Sequence, residues 1–510
     1  MAQPPRFTSK LLWFILAGYL LAGVCYACFT PAWQAPDEPA HYNYVRYLVE
    51  KGCLPVLQMG DYPYDYLEAI KAKRFPAEMS IDPLRYEFHQ PPLYYLLASL
   101  VYRLTSGSLL ALRLLSLLLG GGLLLVAWAL VRAAFPQQPV LAAGTTAFVA
   151  FLPMHLAMTS AVNNDALAEL LLASSLLGLV RYVRASVEVG PVGAGLRPAP
   201  TGPTGLGLLI GLALVTKITA FIALPLALVA ILIAPRSRGE RTRDGVLIFG
   251  LAGLLLLPWL ARNHLTYGGI DLLGLGRHGQ IVVGQPRTAE WLAQMGWMGL
   301  LQAFTQTTFQ SFWGQFGWMG ILLDSRLYLL LKLLSGLVIL GDLLFALRNL
   351  GPARHPVLEQ GNPEGCPLFR PTRPQWRLLG LLSIWLVLTF FSYLWWNLQF
   401  VQHQGRYLFS ALIPLGLIFG MGLAEVLARA RAWLVGGLCL SGGLLLAVKG
   451  LLVGGCDKWF IAFVAGAGMA CVARGLLPRA WDRLINGLPY LGLFALDFVC
   501  LFGFIVPGLS

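Results

Sequence analysis

An all-α integral membrane protein is what this sequence predicts, and three observations carry the prediction. Of 510 residues, 57% are hydrophobic and only 12% charged, with a mean hydropathy of +0.68, more apolar material than a water-soluble core can use. Apolar runs long enough to cross a hydrocarbon layer of about 30 Å recur along nearly the whole chain, beginning with residues 11–29. The basic residues behind the net charge of +13 are spread in short clusters between those runs. That is how topology signals are distributed, and it argues against a nucleic-acid partner. Pattern counting gives about thirteen transmembrane helices, no internal repeat and no separate soluble domain.

Taken in order, the first apolar run is flanked by Arg6 and Lys10 and lacks a small-residue cleavage site, so it reads as a retained helix with a cytoplasmic N-terminus. It delivers residues 30–108 to the outer face as a large first extracytoplasmic loop with juxtamembrane helices. Within that loop, residues 41–52 have the amphipathic character of an interfacial helix. Residues 91–104 are too short for a confident span and read as juxtamembrane or re-entrant. Spans at 109–131, 140–159 and 166–179 then leave Asn163, Asn164 and Asp165 outside. Residues 185–205, rich in Gly, Pro and Ala, read as a cytoplasmic linker. Two compact helices meet near Lys217. Residues 246–261 cross outward, and 262–326 form a second large outer loop with an aromatic stretch at 291–319. Six further spans follow, alternating with the arginine clusters that mark cytoplasmic loops. The eight cysteines are scattered, and Cys25 and Cys28 have no His or Cys partner at zinc spacing.

Charged groups at the edge of a membrane domain are costly unless they serve topology, pairing or a substrate. Asp37 and Glu38 follow the first helix directly, with His41 one turn further on if the segment is helical. An ordinary helix N-terminus, Asp37 capping and Glu38 complementing the dipole, accounts for the pair equally well. His89 and Gln90 precede two prolines in FHQPPLYY (88–95) and can face an anionic group, although proline at a helix start is itself commonplace. Asn164 and Asp165 suit either a site or a plain loop. Arg406, in QHQGRYL (402–408) beside His403, stands at the outer start of a helix against the inside bias for arginine. It is a permanently charged bidentate donor suited to phosphate, or else a headgroup anchor. Lys217 and Arg262 belong to the same electropositive set.

An acidic pair after the first helix, a PPL-aromatic motif closing the first outer loop, a second acid after the fourth span and an outer RYL motif on a late helix together resemble the GT-C superfamily of membrane glycosyltransferases. Protein O-mannosyltransferases and the aminoarabinose lipid A transferase are similar. The resemblance covers about the first 430 residues by motif order, making 1–430 the catalytic transmembrane module and 431–510 additional C-terminal transmembrane helices. It implies a polyprenyl- or dolichyl-phosphate sugar donor and an inverting reaction, with Asp37 as base, Asp165 as the second acid of the cavity and Arg406 near the donor phosphate. Relatives often carry Lys before the double proline; Gln90 stands there, which leaves phosphate binding to Arg406 or Lys217.

On this reading Asp37 takes the proton of an acceptor hydroxyl or amine as that atom attacks the anomeric carbon opposite the phosphate. Arg406, with Lys217, Arg262 or His89, steadies charge on the lipid phosphate. Glu38 orients Asp37, holds the acceptor, or binds a divalent ion with Asp165, although neither a metal nor another cofactor is predicted. The expected partners are the lipid-linked donor, an acceptor glycan, lipid or protein, and the surrounding lipids of a plasma membrane. A transporter or flippase of lipid-linked saccharides is the alternative, since many helices with buried charges suit that role too.

Overall fold

The computed structural model describes residues 6–188, 202–350, 370–453, 455 and 457–509. Most of the expected linker, 189–201, and part of the arginine cluster at 348–377 lie outside the described residues. The rest is helix on helix. Among the described residues, ten helices are long and apolar enough to cross a membrane, or eleven if the pair Pro139–Ala150 and Pro153–Thr159, bent by 65°, counts as one span. The expected thirteen is not confirmed by this count, which leaves aside the shorter apolar helices Leu93–Leu104, Pro203–Leu214 and Ile218–Ile233.

Helix α1 (Arg6–Phe29) ends before Pro31 and Pro36, and α2 (Glu38–Lys51) starts with proline in its first turn, where a missing N–H costs nothing. The first loop continues through α3 (Tyr64–Ala72) to α4 (Leu93–Leu104), which at about 1.5 Å per residue is too short to span. Helix α5 (Leu109–Ala134) is capped by Ser108, whose Oγ accepts from the Ala111 N–H at 3.3 Å. The bent pair α6 (Pro139–Ala150) and α7 (Pro153–Thr159) breaks at Pro153, and α8 (Asp165–Glu188) follows.

Helices α9 (Pro203–Leu214) and α10 (Ala223–Ile233) are the compact pair that sequence length had counted as spans. Each is too short for that, and they meet at Lys217, whose extended backbone (φ −156°, ψ 143°) turns the chain. Their shortness brings the turn into the cavity described below. Helix α11 (Arg238–Tyr267) begins with a Ser237–Glu240 capping box. The expected second outer loop is largely helical: α12 (Leu275–Ile281), α13 (Thr288–Trp313, kinked at Gly296) and a hairpin of β1 (Gln315–Phe316) and β2 (Ile321–Leu322). The chain closes with α14 (Ser325–Leu350), α15 (Arg373–Asn397), α16 (Leu412–Val426), α17 (Arg429–Val453), α18 (Lys458–Leu476) and α19 (Asp482–Cys500).

Core and periphery separate by enclosure. In Asp165–Arg184 78% of the apolar window is buried and in Gly405–Val426 67%, against 17% for Arg429–Leu452. The two enclosed spans begin at the same end of the bundle, one with Asp165 and the other beside Arg406. Helix α19 returns from the periphery to seal the core: Tyr26 donates to the Asp497 carbonyl at 2.9 Å, and the Tyr490 ring lies against Gly144. Helices α14 and α16 cross where a Cβ on Gly341 would lie 1.9 Å from the Gly422 carbonyl oxygen, the small-residue contact that lets membrane helices approach backbone to backbone.

Candidate active site

Asp37 occupies the position before the first turn of α2 but caps nothing. Its backbone is left-handed (φ 67°, ψ −6°), a conformation uncommon outside glycine, and its carboxylate makes no bond to the helix. Oδ2 accepts from Arg406 Nη2 at 2.6 Å and Oδ1 from the Tyr86 hydroxyl at 3.0 Å. Burial pushes the carboxyl up, but the Arg406 guanidinium, with His41 and Tyr86, outweighs burial and holds Asp37 below the usual carboxylate range. The group is an ionised base, masked by an arginine.

Arg406 is presented by Gly405. A Cβ on that glycine would lie 2.5 Å from the Thr308 carbonyl oxygen and the Phe312 nitrogen of α13, so only glycine permits the approach. The Gly405 N–H donates to Ser311 Oγ at 2.7 Å, and Arg406 Nε donates to Gln404 Oε1 at 2.7 Å. Across the cavity, Asn163 Oδ1 accepts from the Asp165 N–H at 2.8 Å, which starts α8 with an acid in its first turn. Lys217 Nζ lies 2.5 Å from Asp165 Oδ1. The site thus holds two acid–base pairs, Asp37–Arg406 and Asp165–Lys217.

His41 lies on the α2 face that looks into this space, its Nδ1 2.8 Å from the Tyr95 hydroxyl. His89 Nδ1 meets the Tyr86 carbonyl at 2.9 Å and so carries a hydrogen, which leaves Nε2 as acceptor. Burial lowers its pKa to about 4, so it is neutral near pH 7. The Gln90 amide lies beside it, with Oε1 lacking a partner. These groups share an open cavity of about 1140 Å³ with Glu87, Glu169 and Tyr407.

Four expected site residues are elsewhere. Glu38 is fully buried behind Asp37, where Arg113 Nε and Nη2 grip it at 2.8 and 2.6 Å and the Trp33 and Val162 N–H groups donate to it. It has nothing left for a substrate, nor for a metal shared with Asp165; among the described residues no three metal-ligating side chains gather. Asn164 turns inward to the Thr216 carbonyl, and it is Asn163 that lines the cavity. Arg262 bonds the Pro55 carbonyl and Asn263 Oδ1, tying α11 to the first loop. His403 packs between Trp291 and Phe304.

Glu87, Tyr86 and Glu169 were missed from sequence. Glu169 had a legible signal, since it lies four residues after Asp165 and hence on the same helical face. It accepts from or donates to His155 Nε2 at 2.9 Å, a residue of the bent α6–α7 pair. Glu87 had only its nearness to the FHQPP motif, and Tyr86 had none.

The described residues form a multi-pass helical membrane protein, and comparison with known proteins shows that its architecture is like that of GT-C glycosyltransferases. Residues 89–261 match the family model of dolichyl-phosphate-mannose-protein mannosyltransferase, a stretch that includes the PPL motif, Asp165 and Lys217. The chain superposes on the crystal structure of ArnT from Cupriavidus metallidurans bound to undecaprenyl phosphate with a TM-score of 0.52 and 16% identity, over 97% of this chain and 77% of that one. The apo form of ArnT gives 0.52 and 15% over the same shares. The archaeal oligosaccharyltransferase AglB from Archaeoglobus fulgidus, in complex with an inhibitory peptide and a dolichol-phosphate, gives 0.50 and 13%, over 95% of this chain and 56% of that one. No curated protein sequence matches. At such identities the likeness is one of fold.

Proposed function

We propose that the protein is an inverting glycosyltransferase that moves a sugar from a polyprenyl-phosphate carrier to an acceptor, with Asp37 as general base. The observation that carries this reading is the Asp37 carboxylate, held out of its capping role by a left-handed backbone and paired with Arg406 inside a large cavity. A sugar joined through phosphate has a good leaving group, so one carboxylate suffices. The acceptor O–H oxygen attacks the anomeric carbon as its proton passes to Asp37. The anomeric C–O bond breaks on the opposite face, and the lipid phosphate departs with the electron pair. Arg406 leaves Asp37 for that phosphate, which unmasks the base only when donor is bound. Lys217 is the second cation for the phosphate, and Asp165 steadies it until then.

The structures of ArnT with undecaprenyl phosphate and AglB with dolichol-phosphate support a lipid-phosphate donor for a chain of this fold. Orientation is argued from charge. Arg132, Arg184, Arg236, Arg348, Arg431 and Arg474 sit at helix ends away from the cavity, which favours a cytoplasmic N-terminus and an extracytoplasmic active site. The convergence of the polar groups on one cavity at one end of the bundle favours an enzyme over a transporter.

The test is transfer from a panel of radiolabelled polyprenyl-phosphate sugars to membrane lipid, glycan and protein, comparing wild type with Asp37→Asn at equal folded amounts. Transfer by wild type alone supports the reading; equal transfer by the variant removes Asp37 from its centre.

A further inference from the structure

The cavity has one wall of a different chemistry. The lining residues of segments 273–286 and 389–402 include no Asp, Glu, Lys or Arg, whereas the facing wall carries Asp37, Glu87, Asp165, Lys217 and Arg406. The two neutral segments are joined: the Val401 N–H donates to the Pro286 carbonyl at 3.0 Å, the Thr288 N–H to the Gln399 carbonyl at 3.3 Å, and Arg287 bridges to Phe400. Arg287, which is not among the cavity-lining residues, has its guanidinium 4.2 Å from the Phe400 ring centroid.

Tyr393 and Gln402 on this wall are bonded to Thr308, Gln404 and Tyr407, but other polar groups there have no internal work. His278 is buried with Nδ1 unpartnered, and its ring lies 6.1 Å from that of Trp396. Burial, with His89 and Arg287 nearby, drives its proton off, so the imidazole is neutral and keeps one donor and one acceptor. The side-chain amides of Gln280, Gln285 and Gln399 make no hydrogen bond among the described residues and open into the same space. Trp396, half-buried against Phe400, offers them a flat apolar face.

We infer that this wall is the acceptor subsite and that the acceptor is a neutral carbohydrate, its ring laid on Trp396 and its hydroxyls bonded by His278 and the three glutamines. A sugar ring has an apolar C–H face and a rim of groups that both donate and accept, which an aromatic plane bordered by neutral amides complements. A charged glycan or an ionised peptide side chain would lose hydration against this wall and meet no counter-charge. The inference rests on the glycosyltransferase reading, since it assigns the second substrate of that reaction.

The experiment uses the full chain in lipid nanodiscs and measures binding of labelled neutral tetrasaccharides (glucan, mannan, galactan), a galacturonan tetrasaccharide and a serine-rich peptide. A neutral tetrasaccharide is expected to bind in preference to the other probes, with at least tenfold loss in Trp396→Ala and in His278→Ala. Should Trp396→Ala fail to fold, the Gln285→Ala/Gln399→Ala double variant replaces it with the same expectation. Absence of neutral-saccharide binding, stronger binding of the galacturonan or peptide, or binding unmoved by the wall variants each overturns the inference. Because binding is measured without transfer, failure of the base assignment and failure of the acceptor assignment are read separately.

Discussion

Two carboxylates adjacent in sequence are expected to fail in opposite ways. Glu38 is fully buried, its partner Arg113 side chain is 4% exposed, and both carboxylate oxygens are saturated by a bidentate pair and two backbone N–H groups. Replacement by Gln leaves a buried guanidinium without its counter-ion, a loss of about 3–5 kcal/mol for a broken buried pair. The consequence is mechanical: Arg113 also bonds the carbonyls of Ala27, Thr30 and Pro31, so the joint between α1 and α2 loosens as a unit. Asp37 is a quarter exposed, and its replacement by Asn keeps the shape of the site. The expected outcome for Asp37→Asn is about a 10²- to 10⁴-fold drop in transfer, with a smaller loss of stability than in Glu38→Gln, because the Asp37–Arg406 pair borders the open cavity. Denaturant titration of purified protein in detergent, paired with initial rates of sugar transfer, separates the two. A Glu38→Gln protein as stable as wild type, or an Asp37→Asn protein that unfolds as readily as Glu38→Gln, would refute the division of roles.

Three more outcomes are expected. Gly405→Ala, whose Cβ would lie 2.5 Å from the Thr308 oxygen, must push Arg406 away from α13; the overpacking costs about 1–3 kcal/mol and a displacement near 1 Å lowers transfer about 10²-fold, so rates near wild type would count against the positioning argument. The folded Asp37 carboxyl titrates below its usual 3.8, so its stabilising pair is complete above that pH and is lost as pH falls through the lower folded value; kcat/KM for transfer is expected to stay flat on the acid side down to pH 5, and Arg406→Gln to move the acid limb upward. Lys217→Met, which leaves Asp165 without its 2.5 Å partner, is expected to raise KM for the lipid-phosphate donor more than it lowers kcat; an unchanged donor KM would remove Lys217 from phosphate binding.

How much of this was legible before folding depends on the range over which the deciding forces act. Transfer of apolar runs into lipid is a local property of composition, and so the helical membrane class and the shortness of the apolar helix at 91–104 could be read directly. The count of spans could not, because α9 and α10 are as apolar as true spans and are short only by where their chain turns at Lys217. The short motifs flagged the right neighbourhoods without resolving adjacent residues within them. Asp37 and Glu38 are chemically near-equivalent in sequence, as are Asn163 and Asn164.

What the sequence by itself determined is therefore the solvent this chain folds in, its helical class and the set of polar residues too costly to be idle. Which of those residues line the cavity was decided only by tertiary contact. The left-handed turn at residue 37 sends one carboxylate to Arg406, 369 positions away, and the next to Arg113, 75 positions away. No local rule relates residues that far apart; their meeting follows from how α1, α5, α8 and α16 pack.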